Sequence, residues 1–234
     1  MSASNRSDFI KLFNSIAYDK RRSEVFNDFV FMASYAIQQS VLFSNGVEQE
    51  YMRIVGRYRR EDAFLLKELL DLLHTSLNLT FSDFLGSIMM ELNLGNNYLG
   101  QYFTPYELSH MMAHLTWSEP TTEYSTHSDP ACGAGGMLIA QAEVALESGI
   151  DVRDRLFFVG VDVDSMAARM AYIQLSLLDL PGNIVIGNTL SMDYRESLFT
   201  PAALRYGWPE KLSISGDHSS QYDLVQRDLF FEVG

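Results

Sequence analysis

The sequence predicts an α/β protein in which an N-terminal helical region, residues 1–95, precedes a partial parallel sheet of the doubly wound kind, residues 96–234. Three observations predict it. Apolar residues recur at helix spacing through the first 94 positions. From Ser128 onward, short β-rich runs alternate with amphipathic helices, the pattern of parallel strands joined by right-handed crossovers. The segments "DPACGAGG", "VDVD", "GNTL" and "DLFF" bring glycine, acids, asparagine or aromatics to the strand ends, where open α/β sheets bind their ligands.

In the helical region, Phe26, Phe29, Val30, Ala33 and Ile37 mark one helix; Phe64, Leu65, Leu69, Leu72, Leu73 and Leu77 mark another. "SNG" (44–46) and "NLGNN" (93–97) read as turns. The basic clusters "DKRR" (19–22) and "RIVGRYRR" (53–60) read first as solvated helix faces, with a phosphate-facing patch as the alternative. The stretch "TPYELSHMMAHL" opens a further helix, with Thr104 expected as N-cap, Pro105 in the first turn and Glu107 at the third position, close to a capping box. His110 and His114 are four apart, but the sequence offers neither a metalloprotease glutamate beside them nor a cluster of further ligands, so no metal site is expected.

Beyond Ser128, "SDPACGAGGMLIAQAEVALESG" reads as a Gly-rich turn opening a helix that stops at Gly149. "RLFFVGVDVD" is a strand ending in acids, and "SMAARMAYIQLSLLDLPG" a helix that stops at Pro181–Gly182. "NIVIGNTL" is a third strand and "YDLV" a fourth, with "TEYSTHS" as an unusually polar first one. Residues 191–220 hold much Ser, Gly and Pro and read as an irregular crossover with at most one short helix near 199–206.

With 47% hydrophobic and 20% charged residues, the composition is that of a soluble globular protein. No apolar run is long enough to span a membrane, no signal-peptide core opens the chain, and the single Cys132 suits a reducing cytoplasm. The formal net charge is -13, and residues 101–234 carry most of it, with 7 Lys+Arg against 18 Asp+Glu. That balance repels phosphate backbones, which argues against strong nucleic-acid binding by this chain alone.

Gly133, Gly135 and Gly136 let backbone approach a ligand closely. Asp162 or Asp164, at the end of the next strand, is placed to accept hydrogen bonds from two ribose hydroxyls, which favours a nucleoside ligand. The turn carries Asp129 and lacks the lysine of a phosphate-binding loop, which argues against a triphosphate. His127 reads as a local hydrogen-bonding residue and Cys132 as a packing residue.

Taken in order, "DFLGSIMMELN", "GQYFTPYELSHMMAHL", "DPACGAGGMLIAQAEVAL", "GVDVDSMAARMAYIQLSLLDL" and "GNTL" resemble the DNA adenine-N6 methyltransferases, above all the modification subunits of type I restriction systems, over about residues 80–231. The resemblance implies a Rossmann-like, S-adenosylmethionine-dependent methyltransferase sheet and S-adenosylmethionine as cofactor. Phe103, Thr104 and Pro105 would then hold the methionine end, Asp129, Ala131, Gly133 and Gly135 the main loop, Asp162 the ribose, and Asn188 would sit near the adenine. Asp228 and Phe231 fall in register with the acid and aromatic of the family's base-clasping Asn/Asp-Pro-Pro-Phe/Tyr turn, with Leu229 and Phe230 in place of the prolines. DNA is implied as substrate, bound weakly by this chain alone, with a specificity or restriction subunit as partner in the cytoplasm. The expected sheet stops after four strands, as in a C-terminally incomplete methyltransferase. The alternative is a catalytically inactive relative that binds cofactor or partners; a methyltransferase acting on RNA or protein is a third reading.

Overall fold

The computed structural model describes residues 3–94 and 103–214. Five helices come first: α1 (Ala3–Ser15), α2 (Arg22–Val41), α3 (Asn45–Val55), α4 (Arg60–Leu79) and α5 (Phe84–Glu91). Phe26, Phe29, Val30 and Ala33 bury one face of α2, and Leu66, Leu69, Leu73 and Leu77 bury one face of α4. Phe64, expected on the apolar face of α4, is exposed and lies under the Arg60 guanidinium, 5.7 Å from its ring centre. The buried stripe runs one step away, through Leu66.

The basic clusters are largely engaged within the chain. Arg22 donates to the carbonyls of Phe13, Ala17 and Lys20, closing the C-terminal end of α1. Arg57 and the Tyr58 hydroxyl both donate to the buried carboxylate of Asp28.

Helix α6 (Tyr106–Thr116) follows, then β1 (Ser125–Asp129), α7 (Gly136–Glu147), the single turn α8 (Val152–Arg155), β2 (Leu156–Asp162), α9 (Ser165–Leu177), β3 (Gly182–Asn188), β4 (Asp193–Phe199), α10 (Pro201–Arg205) and α11 (Trp208–Ile214). Thr104 is not the N-cap of α6. Pro105 holds that position without a side-chain cap bond, so the expected capping box does not form. The Pro105 ψ of 136 is extended, so the helix starts one residue later than the sequence suggests.

The sheet order is β1-β2-β3-β4, with β1–β2 and β2–β3 parallel. In place of an irregular crossover, residues 193–199 form β4, which pairs with β3 as an antiparallel hairpin. The Asn188 carboxamide closes its turn by accepting from the backbone N–H groups of Leu190 and Ser191. Two short helices follow where one was expected. Thr200 caps α10, and the fully buried Trp208 of α11 donates its indole N–H to the Arg153 carbonyl at 2.7 Å. The fourth strand expected at "YDLV" lies outside the described residues.

Strand β2 is buried on both faces. Leu156 and Phe158 join the main core, which runs from Phe9 of α1 to Leu198 of β4 and so takes in residues on both sides of position 95. Phe157 and Val159 face a smaller core with Ala203, Trp208 and Leu212. Covering both faces is what a doubly wound sheet requires. Among the described residues β1 pairs only with β2, and its alternating exposure suits the polar sequence "STHSD".

Helix α9 lies between the sheet and the N-terminal helices. Its buried Arg169 donates to Ser34 of α2 at 2.9 Å and to Glu196 of β4 at 2.6 Å. The same guanidinium stands 4.9 Å from the Phe31 ring centre and 4.8 Å from that of Tyr35.

Candidate functional site

A cavity of about 400 Å³ opens at the carboxyl ends of β1 and β2. That size suits a small-molecule ligand. Its floor is the Gly-rich turn between β1 and α7, which two left-handed glycines shape. Gly133 has φ +54, and a Cβ there would stand 3.0 Å from the Phe103 ring. Gly135 has φ +90, and a Cβ there would stand 3.1 Å from Cβ of Ala171 on α9. The first glycine keeps the turn open to the cavity; the second lets it sit against α9.

Three backbone donors fix this turn. Cys132 N–H donates to the Val161 carbonyl at 2.9 Å. Ala131 N–H donates to Asp129 Oδ1 at 3.1 Å, and Gly133 N–H donates to Asp162 Oδ2 at 2.8 Å. Asp162 Oδ1 accepts from Asp164 N–H at 2.8 Å, while Asp164 caps α9 by accepting from Met166 N–H. The two acids at the end of β2 thus divide the work. Asp162 borders the cavity and Asp164 serves the helix.

Phe103, Thr104, Asp129, Ala131, Gly133 and Asp162 all line the cavity. Pro105, the N-cap of α6, and Gly135, packed on α9, are not among the lining residues. Asn188 is exposed and closes the β3–β4 turn. Asp228 and Phe231 lie outside the described residues.

Burial raises the Asp129 carboxyl above the usual carboxylate range; the Ala131 N–H opposes this and the nearby Asp162 adds to it. Burial, with Asp162 and Asp129 close by, pushes the Cys132 thiol well up. Cys132 packs as expected, against Gly160, where a Cβ would meet its sulfur at 2.9 Å, and it also borders the cavity. His127 is held locally, by Ser125 and Gln141 at 3.2 Å each, with its ring stacked on Trp117.

Sequence reasoning missed Asp83. It is the N-cap of α5, is buried, and reaches the cavity wall from the helical region. Its signal was local: "SDFLG" is an N-cap pattern, but nothing in the spacing ties it to a turn some fifty residues later. His110 and His114 also gain neighbours that the linear pattern hid. Glu143 and Glu147 of α7 face them, with His114 Nε2 3.2 Å from Glu147. Ligand atoms of His110, His114 and Glu147 lie within 4.8 Å of one another.

Residues 80–206 match the model of the N-6 DNA methylase family. The chain belongs to that family. A 94-residue segment is 29% identical to the methylase subunit of the MjaIX type I restriction enzyme of Methanocaldococcus jannaschii. That segment is 40% of this chain and spans only 16% of the relative's length. A solved Listeria monocytogenes structure, assigned to the class I S-adenosylmethionine-dependent methyltransferases, aligns with a TM-score of 0.42 at 15% identity. The alignment covers 77% of this chain and 52% of that one. The family match takes in the cavity-lining residues from Asp83 to Ala167.

Proposed function

We propose that the cavity binds S-adenosylmethionine and that the chain is a DNA adenine-N6 methyltransferase of the restriction–modification kind. The observation that supports this best is the meeting of Asp129, the Gly-rich turn and Asp162 around one cavity at the ends of two parallel strands. The donor set fits the cofactor: carboxylates for hydroxyl and ammonium groups, with Phe103, Met137 and Ala167 as apolar walls. When bound, S-adenosylmethionine supplies an electrophilic methyl group on a sulfonium.

The chain's own residues bind and orient. Asp162, already fixed by Gly133 and Asp164, has lone pairs left for the ribose hydroxyls. Phe103, Thr104 and Pro105 hold the methionine end. Asp129, Ala131 and Gly133 follow the body of the cofactor, and Gly135 lets that loop lie on α9. Asn188 lies toward the adenine side, acting through its turn. Asp228 and Phe231 take the base-clasping place, one accepting the adenine amino hydrogens and the other stacking on the base.

Residues 1–95 form the helical part and residues 96–234 the methyltransferase part. DNA is the substrate, and a specificity subunit supplies basic surface that offsets this chain's net charge of -13. The setting is the cytoplasm; among the described residues no helix is long and apolar enough to cross a membrane. Leu229 and Phe230, in place of two turn-forming prolines, favour a second reading in which the chain binds cofactor without transferring methyl groups.

Methyl-labelled S-adenosylmethionine and DNA, with this chain alone and with a specificity subunit, test the two. Label recovered as N6-methyladenine supports the enzyme. Cofactor binding without label in either mixture overturns it in favour of the second reading.

A further inference from the structure

We infer that Asp83 is the binding residue for the α-ammonium group of the cofactor's amino-acid end, a subsite that the helical region contributes to the cavity; this rests on the S-adenosylmethionine reading above. Asp83 is 3% exposed and yet lines the cavity. Its Oδ1 accepts from Gly86 N–H and from the Gln174 side-chain amide, both at 2.9 Å. Gln174 is fully buried and fully used: it also donates to the Ala134 carbonyl at 2.8 Å and accepts from Leu85 N–H at 2.9 Å. One carboxylate oxygen is therefore held rigidly by α5 and α9, and the carboxylate is aimed at the Gly-rich turn. A Cβ built on Gly136 would lie 3.4 Å from Cβ of Asp83.

Among the described residues no lysine or arginine pairs with this carboxylate. A buried carboxylate without a cation is costly, and charge pairs or ligands are the usual remedy. Burial accordingly pushes the Asp83 carboxyl up, against the pull of Gln174 and Gly86. The chemistry that satisfies the site is a primary ammonium entering from the cavity. Thr104, Ser109, Gly136 and Asp162 line the same cavity as Asp83. A ligand with a ribose at Asp162 and an ammonium at Asp83 would be held in one orientation only.

Calorimetry on the full chain separates this role from a structural one. The ligands are S-adenosylhomocysteine, its analogue with hydrogen in place of the amino group, and 5′-methylthioadenosine, which lacks the amino-acid end. Wild type should bind S-adenosylhomocysteine about ten- to a hundredfold more tightly than the deaminated analogue, the worth of a charge-assisted hydrogen bond. Asp83→Asn keeps the Oδ1 acceptor, so it should lose that preference while binding 5′-methylthioadenosine as wild type does. Equal affinity of wild type for the amino and deaminated ligands overturns the subsite, whether or not the variant folds. Equal weakening of all three ligands by Asp83→Asn overturns it too, because a collapsed wall would do that. If wild type binds S-adenosylmethionine and 5′-methylthioadenosine not at all, the cofactor reading itself fails, and the subsite with it.

Discussion

Gly133 donates its backbone N–H to Asp162 Oδ2 at 2.8 Å, so the Gly-rich turn after β1 and the acid ending β2 form one fixed unit. The turn reaches this contact only because Gly133 adopts φ +54 with the Phe103 ring directly against it. Gly133→Ala should therefore do two things. It should cost about 1–2 kcal/mol in stability from the left-handed backbone alone. It should also weaken nucleoside-ligand binding, because the methyl group would push on Phe103. Gly149→Ala is the control: φ is +78, but nothing lies within 4 Å of the added Cβ. Thermal melts should show comparable stability losses for the two variants, and only the first should lose ligand affinity.

Arg169 ties three elements together, with hydrogen bonds to Ser34 and Glu196 and two aromatic rings around it. Arg169→Ala should destabilise the fold by about 2–4 kcal/mol in denaturant melts. Arg169→Lys should recover little of this, since an ammonium cannot make the forked contacts of a planar guanidinium. Glu196 is partly solvated, so Glu196→Gln should cost less, about 1 kcal/mol.

Burial lowers the pKa of His127, with the Gln141 contact partly opposing it. The unfolded chain then binds the proton more readily than the folded one, whose imidazole stays neutral. The linked stability is present above the ordinary imidazole value of about 6.5 and is lost as pH falls from there through the lowered folded value. His127→Asn should flatten that part of the stability–pH curve, as measured by melts across the acid range.

Much of this was legible in the sequence because it is local or periodic. Phe26, Phe29 and Val30 bury at helix spacing as predicted. The continuous apolar run of β2 announced a strand covered on both faces. That Asp162 and Gly133 meet at one cavity follows from their places at strand ends in an open α/β sheet. The β3–β4 hairpin was not legible: its turn, Thr189 to Met192, holds neither glycine nor proline, and Asp193–Phe199 mixes charges into the last strand of the described sheet. Met192 takes φ +55 there without the residue type that usually signals it. Phe64 misled because a phenylalanine at helix spacing can be covered by an arginine as well as by a core. Asp83 and Arg169 act across long sequence separations, 91 residues to Gln174 in the first case and 135 to Ser34 in the second. No local pattern encodes such pairs.

S-adenosylmethionine is the ligand proposed for the cavity between the Gly-rich turn and Asp162. Calorimetric titration of the cofactor into the wild-type chain and into folded Asp162→Ala tests it most directly. One cofactor should bind per wild-type chain, and the variant should bind at least about tenfold more weakly, having lost a hydrogen-bonded carboxylate at the ribose. No heat of binding in wild type, or equal affinity in wild type and Asp162→Ala, would mean that Asp162 and this cavity are not the cofactor site.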